Sequence, residues 1–109
     1  MADADTPAPP PDHAGHRARL RGRLRSGDAD GMAHYELVEY LLALAIPRCH
    51  TKPRAKALLR EFGSLAQLVS ADSESLRRVD GSGDTGIAAL KIVQAASLRM
   101  LKASFATSL

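Results

Sequence analysis

Apolar residues recur along most of this chain at three- and four-residue spacing, the period of helices. In "GHRARLRGRLRSGD" (15–28) arginines alternate with other residues, but Gly22 and the small residues between them argue against a strand. Wound as a helix, the segment puts Arg17, Arg21 and Arg25 on one face and Leu20 and Leu24 on a narrow apolar line, and "SGDADG" ends it. "HYELVEYLLALAI" (34–46) is apolar nearly all round, broken only by a weak stripe of Glu36, Glu39 and Ala43. Such a helix belongs in the middle of a bundle, and Pro47 stops it. "TKPRAKALLREFG" (51–63) has Thr51 as N-cap and Pro53 in the first turn, where a missing N–H costs little. Its buried face is Ala55, Leu58, Leu59 and Phe62, and Gly63 is its stop. Ser64 with Gln67 predicts a capped short helix, and Asp72 caps another that buries Leu76 and Val79.

A long helix follows, from about 84 to about 104. It carries two apolar stripes: Ala89, Ile92, Val93, Ala96 and Met100 as the expected core face, and Ile87, Leu90, Leu98 and Leu101 as a second. A small domain can hardly cover both. Either the second stripe docks a partner, or the arginine-rich first helix folds across it. No segment reads as a strand. The expected fold is all-α, a compact bundle of five or six short helices.

Composition narrows the picture. At 109 residues the chain fits one domain. It has no Trp and few aromatics, so Leu, Ile, Val and Ala must fill the core. Cys49 is the single cysteine; no internal disulfide can form, which fits a reducing, cytoplasmic setting. There is no long apolar run for a membrane and no secretory-signal pattern. Residues 1–13, rich in Pro, Ala and Asp, read as a disordered tail before a helical domain over 14–109. That tail holds Asp3, Asp5 and Asp12 and no Lys or Arg, so the domain is more basic than the overall net charge of +3. A basic surface suits an anionic partner such as nucleic acid, and equally an ordinary solvated face.

Two helix starts are candidate phosphate sites. In "RVDGSGDTGIAAL" (78–90), Gly81 and Gly83 flank one residue between two helices, the layout of a helix–hairpin–helix, whose second helix aims free N–H groups at a phosphate. Ser82 stands where an aliphatic residue would pin the hairpin, and Asp84 puts a carboxylate where the phosphate would sit. A structural turn therefore competes with a phosphate site, with Arg77, Arg78 and Lys91 offsetting Asp84 in part. The second start is Thr51, ringed by Arg48, Lys52, Arg54 and Lys56 with no acid before Glu61. A basic solvated turn is its plainer explanation. The arginines at 17, 19, 21, 23 and 25 would add sequence-independent attraction. Few aromatics interleave these basic zones, which argues against a single-strand stacking platform.

Catalytic and metal chemistry find little support. Cys49 and His50 are adjacent and rarely converge on one atom, and no second Cys or paired His stands at ligand spacing. His13 and His16 fall in or beside the tail, His34 starts a helix, and Glu36 with Glu39 reads as solvated charge. No Ser–His–Asp arrangement, P-loop or dinucleotide fingerprint occurs. Neither a cofactor, a metal nor a small-molecule substrate is expected.

The order of four stretches, "GHRARLRGRL", "YELVEYLLALAIPR", "TKPRAKALLREFGSLAQLV" and "SLRRVDGSGDTGIAALKIVQA", resembles the N-terminal region of the RadC family of bacterial proteins over about residues 15–103. The resemblance implies a helical domain with a helix–hairpin–helix (SAM-like) element, of a kind labelled DNA repair protein. Full-length members add a C-terminal zinc domain resembling JAB/MPN metallopeptidases, marked by His-x-His; this chain has no His-x-His, so that chemistry is not expected in it. The family hairpin usually reads Pro-Gly-Ile-Gly, where this chain has Asp80 and Ser82 in place of Pro and Ile. Cys49-His50 replaces a usual polar or acidic pair.

The expected function is a non-enzymatic module that binds DNA backbone without sequence preference. Its contacts would be Arg48, Thr51, Lys52, Arg54 and Lys56, helped by Gly81, Gly83, Arg77, Arg78, Lys91 and the arginines at 17, 21 and 25. The alternative is a protein-interaction or oligomerisation module. It would dock a metallopeptidase-like domain or a second copy through Ile87, Leu90, Leu98 and Leu101.

Overall fold

Leucine and alanine at helical spacing leave this chain little to build but helices, and the computed structural model, which describes residues 12–47, 50–79 and 83–108, contains no strand among them. The order is α1 (Asp12–Arg25), a 3₁₀ turn (Ala29–Gly31), α2 (His34–Ala45), α3 (Thr51–Phe62), α4 (Leu65–Ser70), α5 (Ser73–Arg77) and α6 (Gly83–Ser108). The all-α expectation holds, with one difference: five helices are short and the sixth runs 26 residues. α1 begins inside the stretch expected to be tail, since Asp12 and His13 are helical. None of these helices is long and apolar enough to cross a membrane.

Each boundary has a local cause. α1 closes with Gly27 at φ +86°, where the Asp28 N–H reaches the Arg23 carbonyl and the Gly27 N–H the Leu24 carbonyl. This pair of bonds satisfies carbonyls the helix end would otherwise leave open. α3 stops at Gly63, φ +91°, whose N–H bonds the Leu59 carbonyl at 2.8 Å. Ser64 Oγ accepts from the Gln67 N–H at 3.1 Å to start α4, and Asp72 Oδ1 from the Ser75 N–H at 2.8 Å to start α5. That Ser75 bond, assisted by Lys91 and Arg78, holds the Asp72 carboxyl below its ordinary range. The Glu36 carboxylate reaches back to the Ala33 N–H at 2.8 Å and fixes the start of α2.

α2 is central, packing on α1, α3 and α6, while α4 and α5 close the far side against α6. The main core joins Val38 and Leu42 of α2, Ala55 and Leu58 of α3, Leu68, Leu76, and Ile87 and Leu90 of α6. Each fully buried leucine contributes about 1.5–3 kcal/mol relative to leaving it exposed. A smaller cluster of Leu20, Met32 and Tyr40, backed by Leu24 and Leu37, fastens α1 to α2.

Two expectations about α6 are corrected. Ile87 and Leu90, assigned to a docking stripe, are buried in the main core. The stripe expected in the core is split: Ala89 and Val93 are half-buried, whereas Ile92, Ala96 and Met100 are exposed. The first three turns of α6 meet α2, α4 and α5 with the Ile87–Leu90 side, and that contact decides which face is inside.

Candidate nucleic-acid interface

The expected anion seat at Thr51 is closed. His50 takes the N-cap position without a side-chain cap bond, and Thr51 becomes the first helical residue, only 2% exposed. Arg17 of α1 lies against it: its guanidinium donates to the Pro47 carbonyl and, at 3.5 Å, to Thr51 Oγ1. A side chain expected to reach outward to phosphate thus ties α1 to the end of α2 and the start of α3. Arg48, beside this turn, lies outside the described residues, as does Cys49.

Several other cations are also held by the protein itself. Arg21 Nε donates to the Tyr40 hydroxyl at 2.8 Å, with its guanidinium 5.9 Å from the ring centroid. Arg23 binds Asp28 at 3.1 Å and lies 3.8 Å from Glu36. Lys91 Nζ donates to the Ala71 carbonyl at 2.8 Å and to Gln94 at 3.1 Å, so it bridges the end of α4 to α6. Arg77 sits 3.5 Å from Asp84 and 3.8 Å from Glu74. Arg77 therefore offsets the Asp84 charge, as expected, but is drawn to carboxylates rather than left for a ligand. Arg78 lines a shallow groove with Glu61, Phe62, Ser75 and Val79. In the hairpin, Gly81 lies outside the described residues, and Gly83 opens α6 at φ +57°.

What stays outward is a stripe on α3. Lys52, Lys56 and Arg60 fall at i, i+4 and i+8, all exposed and with no carboxylate partner among the described residues. One helical turn, about 6 Å, separates each from the next. Tyr35 of α2 lies beneath: Lys56 Nζ is 4.8 Å and Lys52 Nζ 5.8 Å from its ring centroid. A ring face attracts ammonium groups without neutralising them, by about 0.5–1 kcal/mol each at exposed sites. The phenol therefore keeps two like charges one turn apart, an arrangement that alone would cost a few tenths of a kcal/mol. Arg54 on the neighbouring face is half-buried, and Arg19 and Arg25 of α1 are exposed.

The buried carboxylate of Glu39 is a feature that sequence reasoning placed in solvent. It is 2% exposed, and both its oxygens lie 3.1–3.2 Å from His16 Nε2. The signal lay in the spacing: His16 continues the Leu20–Leu24 line at i and i+4, and Glu39 interrupts an otherwise greasy helix. Among the described residues no group of three or more His, Cys, Asp or Glu gathers as a metal site.

No family model matches the chain, and no solved structure matches it. Its sequence is 43% identical over 82 residues to a UPF0758 protein of Fusobacterium nucleatum, a match covering 75% of this chain and 35% of that protein. The chain therefore spans about a third of the length of this curated relative. Over those 82 residues the chain is similar to this UPF0758 protein.

Proposed function

We propose that this chain is a RadC-type N-terminal helical domain acting as a non-enzymatic module that holds DNA by its phosphate backbone. The observation that carries the reading is the Lys52–Lys56–Arg60 stripe, positioned over Tyr35 and unmatched by carboxylates among the described residues. Duplex DNA presents about one negative charge per 1.7 Å of axis, so a short row of cations meets phosphates in many registers and reads no base. Arg19 and Arg25 add to the positive surface. The helix-tip mechanism at Thr51 is no part of this proposal, because that tip is buried under Arg17.

Fluorescence anisotropy with labelled duplex, single-stranded and branched DNA tests the reading. Lys52→Glu with Lys56→Glu is expected to weaken binding at least tenfold on every DNA form, with the helical circular dichroism unchanged. Equal binding by that variant and the parent would remove the stripe from consideration.

A further inference from the structure

The chain exposes six large apolar side chains among its described residues, and five of them are on α6: Ile92, Leu98, Met100, Leu101 and Phe105. Three continue a face that is already in use. On a helix of 3.6 residues per turn, Leu98, Leu101 and Phe105 lie within about 40° of the direction of Ile87. Ile87 and Leu90 are buried in the core, yet Leu98, Leu101 and Phe105, about two to four turns beyond Leu90, are 50%, 52% and 69% exposed. The core face of α6 thus runs past the body that covers it. From residue 98 to 106 every residue is exposed. Large apolar side chains that adjoin on a surface, unlike singly scattered ones, are a feature of contact sites.

Charge selects the kind of partner. Lys102 and Arg99 follow on one side of the row, about 40° and about 100° round the helix from Leu98, both exposed and without an ion pair among the described residues. The sequence has no Asp or Glu after Asp84. Two copies of α6 laid together on this row would bring cation to cation with no acid to answer them. A lipid surface asks for one apolar face and one polar face, whereas this stretch is apolar on two sides, with Ile92 and Met100 opposite the Leu98 row.

We infer that the second half of α6 is a docking ridge for a polypeptide segment whose own apolar ridge is edged by carboxylates. Leucine-sized side chains would seat between Leu98, Leu101 and Phe105, and carboxylates along one edge of the partner's ridge would pair with Lys102 and, further round the same side, Arg99. This surface is separate from the α3 stripe.

The test uses two synthetic helical peptides with leucines at i, i+3, i+4 and i+7, one edged by glutamates and one by lysines. Anisotropy should show the full chain binding the glutamate-edged peptide at least tenfold more tightly. Leu98→Ser with Leu101→Ser and Phe105→Ser, all at exposed positions, should lose that binding while keeping the thermal transition. Arg99→Glu with Lys102→Glu should reverse the preference between peptides, and Lys52→Glu with Lys56→Glu should leave it unchanged. The inference is overturned if the glutamate-edged peptide does not bind, or if both peptides bind alike. It is equally overturned if light scattering shows self-association, or flotation shows binding to phosphatidylglycerol vesicles, that the triple serine variant abolishes.

Discussion

Tyr35 does its work without touching a ligand. By lying under Lys52 and Lys56 it keeps two ammonium groups together on the surface. Glu39 is the opposite case, a carboxylate taken out of water and matched by one imidazole. Removing one partner of such a pair leaves an uncompensated buried group, whereas replacing both by apolar residues can be close to neutral. His16→Leu should therefore lower the unfolding free energy by about 2–3 kcal/mol, short of the full cost of a deeply buried pair because the imidazole is partly exposed. His16→Leu combined with Glu39→Met should lose less than His16→Leu alone, as read from urea unfolding midpoints. Asp72 gives a pH prediction. Its carboxyl is held below the ordinary range mainly by the Ser75 bond, so its contribution to stability is complete above about pH 4. That contribution disappears as pH falls through the lower folded value. Thermal melts from pH 7 to pH 2 should show Asp72→Ala less stable at neutral pH and less sensitive to acid than the parent.

Helix ends were the most legible elements. Gly63, Ser64 and Asp72 are where residue chemistry alone puts them, because a cap depends on its nearest few neighbours. Gly63→Ala puts a Cβ into a left-handed backbone, 3.2 Å from Gln67 Oε1, and should cost about 1 kcal/mol or more in chemical denaturation. Ser64→Ala should cost about 1 kcal/mol. Thr51 missed its expected cap position by one residue, and its hydroxyl instead lies 3.5 Å from the guanidinium of Arg17, more than thirty residues earlier, a contact no local pattern foretells. α6 could not be read from its own periodicity. Both of its stripes have helical spacing, and only the packing of α2, α4 and α5 decides that Ile87 and Leu90 go inside.

At the scale of the whole molecule, the chain divides into a packed body and a helix that leaves it. Leu68→Ala, fully buried, should cost about 2–5 kcal/mol. Leu98→Ala, half exposed and beyond the body, should stay within about 0.5 kcal/mol of the parent. Calorimetry on the two variants measures this contrast. The positive charge divides as well. Basic residues are legible one by one in the sequence, but which of them remain available is a property of the fold. Arg17, Arg21, Arg23, Arg77 and Lys91 are held by hydrogen bonds or carboxylates of the protein, whereas the α3 stripe has no carboxylate partner among the described residues and meets the Tyr35 ring through Lys52 and Lys56.

That stripe is the central claim, and its salt dependence tests it most directly. The logarithm of the DNA association constant, measured by anisotropy against the logarithm of salt concentration, should fall linearly, by about 0.9 for each phosphate neutralised on duplex DNA. Lys52→Glu with Lys56→Glu should make that slope shallower by about 2. A slope the variant shares with the parent, at unchanged affinity, would contradict the account.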